Sequence, residues 1–283
     1  MGILLEGRPA ARAIVATARD DIAQFATHHG FAPSLAVVNT GNDPSAVAYA
    51  RAIERTSRST GVPYLRVDLP IDVTIQKFDE TISRLNDDAT VGGIIVLQPL
   101  PPHLPKARPA EIVKPSKDID GITLVNIGRL DAGSSNLVPS TPAGGVAILH
   151  HYDIPIAGRH VVIVGRSLVV GKPLAMMMLA EDATITICHS RTPDLARFTR
   201  EADIIALAAG RPGILTADMV SPSAVILDFG VTVIDGKLTG DADPGVAQVV
   251  HAITPVPGGT GVVTNAILMR NLAAAVRQLD LRD

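Results

Sequence analysis

The chain has 283 residues, enough for two domains at about 150 residues each. Hydrophobic residues make up 47% and charged residues 19%, so a sizeable core can be buried and wholesale disorder is excluded. Lys plus Arg total 25 against 28 Asp plus Glu, a formal charge of −3 that excludes a strongly basic nucleic-acid binder. The one cysteine, Cys188, forms neither an intramolecular disulfide nor a C-x-x-C metal site, which points to a reducing, cytoplasmic setting. The opening Met1-Gly2-Ile3-Leu4-Leu5-Glu6 has no basic segment and meets a glutamate before an apolar stretch forms, so no signal peptide is expected. No apolar run reaches the ~18 residues that a membrane span needs, and a soluble protein is expected.

In chain order, apolar residues at three- and four-residue spacing (Ile14, Val15, Ala18, Ile22, Phe25) predict a helix over Arg8 to His29, stopped by Gly30. Leu35 to Val38 predicts a strand, closed by the turn Gly41-Asn42-Asp43-Pro44. A helix over Ser45 to Thr60, a strand over Tyr64 to Leu69 and a helix over Thr74 to Asn86, capped by Thr74, follow. Val91 to Leu97 is a continuous apolar run of the kind found in buried parallel strands. Six prolines between Pro99 and Pro115 predict a constrained connection, and Leu137 to Pro142 reads as an interdomain crossing. A second series then begins: strand His160 to Val164, helix Pro173 to Ala180, strand Thr184 to Cys188, helix Asp194 to Glu201, and strands Ile204 to Ala208 and Val225 to Phe229, with a final helix over Ala266 to Leu279. Strands alternating with helices predict an α/β protein of two domains, the second with a parallel sheet. No internal repeat or low-complexity tract is present. The histidine pairs His28-His29 and His150-His151 lack metal-ligand spacing, and no metal is expected.

The strand Val161 to Val164 runs into Gly165-Arg166-Ser167-Leu168-Val169-Val170-Gly171-Lys172 and a helix opened by Pro173. Such a turn aims backbone N–H groups and a helix N-terminus at an anion such as a pyrophosphate. Its glycine spacing is not the usual G-x-G-x-x-G, and a ligand-free strand-to-helix turn has the same appearance. NAD-type folds carry a carboxylate about 20 residues on, to bind the ribose 2′-hydroxyl. Here that stretch is Ile187-Cys188-His189-Ser190-Arg191-Thr192, without a carboxylate. Ser190 and Arg191, with Arg166, suit a 2′-phosphate and hence NADP, against the plainer alternative of a solvated loop. Cys188 reads as a buried strand residue.

Five stretches together resemble the methylenetetrahydrofolate dehydrogenase/cyclohydrolase (FolD) family. They are Gly41-Asn42-Asp43-Pro44-Ser45 leading to Tyr49; Lys117-Asp118-Ile119-Asp120-Gly121; Pro139-Ser140-Thr141-Pro142; Gly165-Arg166-Ser167 through Gly171-Lys172-Pro173; and Thr254-Pro255-Val256-Pro257-Gly258-Gly259-Thr260-Gly261. The match is collinear from about residue 5 to 275. The resemblance implies a folate-binding catalytic domain over residues 1–138, rejoined by a C-terminal helix over 264–283, with a Rossmann-type NADP domain over 139–263. It implies oxidation of 5,10-methylenetetrahydrofolate to the 5,10-methenyl cation, hydrolysis of that cation in many members, and a homodimer. Tyr49 matches the tyrosine that packs on the folate and Asp120 the aspartate that binds the pterin, and these two are the implied catalytic residues. The implied substrate positions further include Ile53, Val96, Leu97, Gln98, Pro257, Gly258 and Gly259. Gly165, Arg166, Ser167, Ser190 and Val231 match NADP positions, beside Arg191.

The sequence departs from the family in its last loop, usually Gly-Gly-Val-Gly-Pro-Met-Thr and here Gly258-Gly259-Thr260-Gly261-Val262-Val263-Thr264, and above all at one cluster. The family's catalytic lysine lies one helical turn after the tyrosine, where Ile53 stands here. The chain has six lysines and none before Lys77, while Arg51 and Arg55 stay protonated and make poor bases. The glutamine that normally bonds that lysine is Leu97, and the serine three residues before the tyrosine is Ala46. A half-dismantled polar cluster leaves buried groups unpaired at about 1–3 kcal/mol each, so losing all three together is coherent. Hydride transfer depends chiefly on holding carbon and nicotinamide within about 3–3.5 Å. Hydrolysis needs general acid–base help worth about 10²–10⁴-fold. The expectation is an NADP-dependent dehydrogenase with weak or absent cyclohydrolase activity. The alternatives are a full bifunctional enzyme using another group, a relative specialised for a different substrate, and a non-catalytic folate- or NADP-binding protein.

Overall fold

A computed structural model describes residues 2–280, with side chains as far as Arg277. The elements run β1 (Ile3–Leu4), α1 (Gly7–His29), β2 (Ser34–Thr40), α2 (Pro44–Ser59), β3 (Tyr64–Leu69), α3 (Ile75–Asp87), β4 (Val91–Val96), α4 (Arg108–Ile112), α5 (Leu124–Asp131) and α6 (Ser140–His151). They continue β5 (His160–Val164), α7 (Gly171–Ala180), β6 (Thr184–Cys188), α8 (Leu195–Thr199), β7 (Ile204–Leu207), β8 (Val225–Asp228), β9 (Thr232–Ile234), β10 (Lys237–Thr239), α9 (Val246–Val249), β11 (Ala252–Ile253) and α10 (Thr260–Asp280). Two compact units result. One holds residues up to Arg12 with Thr141–Thr264, the other Ala13–Ser140 with the chain from Asn265 onward. They are called here the Gly165 unit and the Tyr49 unit.

The Tyr49 unit is built on a short parallel sheet of order β3-β2-β4. Successive side chains of a strand point to opposite faces, and this alternation divides the core in two. Leu35, Val37, Ile95 and Leu97 pack with Ala18 and Ile22 of α1, Ala46, Ala50 and Ile53 of α2, and Leu268, Met269 and Leu272 of α10. Ala36, Val38, Ile94 and Val96 pack instead with Phe78, Ile82 and Leu85 of α3. Local chemistry starts both intervening helices. Asp43 accepts from the Ser45 and Ala46 N–H groups ahead of α2, and the Thr74 hydroxyl accepts from Lys77 N–H ahead of α3.

The Gly165 unit carries a six-stranded sheet of order β1-β11-β8-β7-β5-β6, parallel throughout. Its central strands are buried on both faces, and Val162, Val164, Cys188, Ile205, Leu207 and Ile226 share one core cluster. An antiparallel hairpin, β9–β10, stands outside this sheet.

The two-domain α/β class with a parallel nucleotide-type sheet is thus what the structure has. Residues up to Arg12 join the Gly165 unit rather than the segment that follows them, because Ile3 and Leu4 pair with Ala252 and Ile253. Met1 and residues 281–283 of the expected C-terminal helix lie outside the described residues. The crossing expected over Leu137 to Pro142 is in part the first turn of α6, where Pro142 is tolerated because first-turn N–H groups need no helical partner. Gly144 and Gly145 argue locally against this helix, yet a Cβ on Gly145 would lie 2.4 Å from the Phe229 ring, so close packing overrides propensity. α7 begins at Gly171, two residues before Pro173.

Buried Asn271 of α10 donates from Nδ2 to the carbonyls of Ile119 and Val138, both at 2.8 Å. Asn271→Ala leaves both carbonyls without this donor, and urea unfolding is expected to show a loss of about 2–4 kcal/mol. A change below 0.5 kcal/mol, the ~0.5 kcal/mol range of ordinary surface substitutions, would show that water replaces the amide.

Candidate functional site

Tyr49 projects from α2 onto the cluster formed by Ala46, Ala50, Ile53, Leu97 and Ile119. Ile53 is 0% exposed, Leu97 2% and Ala46 3%, so the three positions singled out by the sequence lie in one apolar core. Burial pushes the Tyr49 phenol above its usual range, and the charge of Asp120 adds to the shift.

Asp120 sits on a loop whose backbone is fixed from several directions. Ile94 N–H donates to the Lys117 carbonyl at 2.7 Å. Buried Asp118 accepts from the N–H groups of Ile122 and Thr123 and from the Asn126 amide. Asp120 itself accepts from the Ser140 hydroxyl at 2.6 Å. Its carboxyl is pushed up to about 6, mainly by burial, with the Ser140 hydrogen bond opposing and the Asp118 charge assisting. Lys117 is no free base: Nζ donates to the Leu85 carbonyl at 3.1 Å and the Asp88 carbonyl at 2.6 Å, tying down the end of α3. Burial depresses its pKa first of all.

Two of the sequence-derived substrate positions stand away from this group. Val96 points to the α3 face of the sheet, because its neighbours Ile95 and Leu97 take the Tyr49 face. Gln98 is exposed, and its Oε1 accepts from Leu100 N–H at 3.3 Å.

The remaining candidates lie in the Gly165 unit. Gly165 has φ +138°, which disfavours any side chain, and a Cβ there would fall 2.3 Å from the Ala208 carbonyl oxygen. A Cβ on Gly171 would fall 2.2 Å from the Gly165 carbonyl oxygen. Ser167 Oγ accepts from the N–H groups of Val170 and Gly171 and holds the turn into α7. Arg166 and Ser167 are exposed, as are Ser190 and Arg191. The turn after β6 is closed by His189, whose Nδ1 accepts from Arg191 N–H at 3.1 Å and whose N–H donates to Thr192 Oγ1 at 2.8 Å. No carboxylate occurs from Ile187 to Pro193. A glycine turn at the carboxyl end of a parallel strand, followed by a hydroxyl and a guanidinium, fits a phosphorylated dinucleotide. Val231 is exposed after β8. Gly258 accepts through its carbonyl from Gly7 N–H, Gly259 is buried, and Pro257 is exposed.

Sequence reasoning missed Ser140 as the partner of Asp120, although a serine two residues ahead of Pro142 is a helix-start signal. It also missed Asp228 and Asp241, two buried carboxylates of the Gly165 unit, for which no local pattern exists.

Residues 5–120 match the family model for the catalytic domain of tetrahydrofolate dehydrogenase/cyclohydrolase, and residues 139–280 match its NAD(P)-binding domain. The chain belongs to the tetrahydrofolate dehydrogenase/cyclohydrolase family. It is 47% identical to the bifunctional protein FolD of Thermomicrobium roseum, over 99% of this chain and 96% of that protein. Among solved structures, the bifunctional enzyme FolD of Campylobacter jejuni superposes with a TM-score of 0.94 at 35% identity, over 98% and 100% of the two chains. The Trypanosoma brucei enzyme, complexed with NADP cofactor and inhibitor, gives 0.94 at 32% identity, over 100% and 99%. The dinucleotide domain and the dehydrogenase/cyclohydrolase class follow from these matches. Among the described residues, no helix is long and apolar enough to cross a membrane.

Because the Ser140 hydroxyl stabilises the charged form of Asp120, Ser140→Ala is expected to move the Asp120 titration above about 6. An NMR titration of the Asp120 carboxyl carbon checks this, and an unmoved midpoint would remove Ser140 from the site.

Proposed function

We propose that this chain oxidises 5,10-methylenetetrahydrofolate to the 5,10-methenyl cation with NADP, and that hydrolysis of the cation is weak or absent. The observation that carries this reading is the burial of Ala46, Ile53 and Leu97 in one apolar cluster beneath Tyr49. Where the family resemblance calls for serine, lysine and glutamine, the side chains of Ala46, Ile53 and Leu97 can neither activate water nor move a proton. Bound NADP supplies the hydride acceptor. Gly165 and Gly171 allow backbone to approach its phosphates, and Arg166, Ser190 and Arg191 bind the 2′-phosphate. Tyr49 stacks on the folate ring and the Asp120 carboxylate orients it. The product cation is stabilised by its own nitrogens, so oxidation proceeds without a protein base. A cytoplasmic homodimer belongs to the same reading, on the strength of the family resemblance.

A second reading is a full bifunctional enzyme, favoured by the name of relatives that are 47% identical. Asp120 would then carry the proton transfers, since a carboxyl near 6 beside Tyr49 suits general acid–base work.

One assay separates the two. Purified protein with 5,10-methylenetetrahydrofolate and NADP is expected to yield reduced cofactor while methenyltetrahydrofolate accumulates. Decay of the methenyl product above its spontaneous rate supports the second reading, and Asp120→Asn should then abolish that decay. Under the first reading, Ile53→Lys combined with Leu97→Gln is expected to raise hydrolysis by about 10²-fold. No gain in a folded double variant would count against it. Folate affinity should also fall as the pH drops through about 6, as the Asp120 carboxylate is protonated.

A further inference from the structure

In the six-stranded sheet, β6 lies on one side of β5 while β7, β8 and β11 lie on the other. The chain direction across the sheet therefore reverses between β5 and β7, and such sheets bind ligands outside the carboxyl ends of the strands at that point. Gly165 follows β5 there and Ala208-Ala209-Gly210 follows β7, with the Ala208 carbonyl oxygen 2.3 Å from a Cβ placed on Gly165. The N–H groups of Ala209 and Gly210 both donate to Oδ2 of Asp241, at 2.8 and 2.9 Å.

Asp241 is 0% exposed and arrives from beyond the β9–β10 hairpin. Its own N–H donates to Oδ1 of Asp228 at the end of β8. Asp228 also accepts from Gly230 N–H at 2.8 Å and Ala242 N–H at 2.9 Å. The second Asp241 oxygen, Oδ1, is buried without a hydrogen-bond partner and sits 2.4 Å from a Cβ placed on Gly230. An unpartnered buried carboxylate oxygen costs stability, so a compensating role is expected of the residue. Asp241 reaches the β7 turn directly and is tied through Asp228 to the turn after β8, the turn that carries Val231.

We infer that Asp241 is a positioning residue for the dinucleotide: it fixes the Ala208–Gly210 turn against Gly165 and holds it in register with the turn that ends in Val231. The inference rests on the proposed NADP reading. Calorimetric titration of the full chain with NADP, and separately with tetrahydrofolate, tests it. Asp241→Asn keeps the shape and one acceptor oxygen but loses charge assistance, and is expected to raise the NADP Kd about 3–10-fold. Tetrahydrofolate affinity should stay unchanged, and amide exchange at Ala209 and Gly210 should accelerate. Asp241→Ala should weaken NADP binding at least as much, and if it does not fold the Asn variant decides alone. Unchanged NADP affinity in Asp241→Asn, or an equal loss for both ligands, overturns the inference while leaving the function intact. A parent protein that binds no NADP overturns both.

Discussion

Withdrawing the Asp120 carboxylate from water raises its pKa, and the Ser140 hydroxyl offsets only part of that cost while the Asp118 charge adds to it. Holding an acid in so unfavourable a place requires the surrounding backbone to be over-determined. The structure meets the requirement with Asp118, which gathers the N–H groups of Ile122 and Thr123, and with Asn271, which clamps the Ile119 and Val138 carbonyls. Lys117 anchors the same loop to the last turn of α3. Three side chains of the Tyr49 unit, Lys117, Asp118 and Asn271, thus hold the loop that carries this one carboxyl group.

The apolar cluster beneath Tyr49 depends on the pleat of β4. Because Ile95 and Leu97 point to the α2 face, a change at position 97 is felt by Ile53 and Ala46, whereas Val96 is insulated on the other side. This geometry gives the apolar character of Ala46, Ile53 and Leu97 a common physical reason. A lone lysine at position 53 would bury a charge among aliphatic side chains, and a lone glutamine at 97 would bury an amide there. Apolar residues at all three positions leave no such group exposed to an apolar surrounding, so the cluster is self-consistent as it stands.

In the Gly165 unit the decisive feature is close backbone approach at the carboxyl ends of parallel strands. Gly165 and Gly171 let the turn, the helix and the Ala208 carbonyl converge within distances that a methyl group would prevent. Ser167 and His189 close their turns with side-chain oxygen and nitrogen, leaving Arg166, Ser190 and Arg191 directed by a fixed backbone yet exposed.

The sequence by itself determined the α/β alternation, since apolar runs such as Val161–Val164 and the periodicity of α1 are local signals of burial. It also determined the motif frame, the absence of a lysine before Lys77 and the absence of a carboxylate after β6, all of which are matters of residue identity. Tertiary structure alone decided that residues up to Arg12 join the Gly165 unit, because a two-residue strand acquires meaning only from its partner. It decided that α6 forms despite Pro142, Gly144 and Gly145, because packing against Phe229 outweighs helix propensity. It paired Asp120 with Ser140 across 20 residues and Asp241 with the β7 turn across about 30. Contacts of that separation are set by how the elements pack, for which the sequence carries no local periodicity.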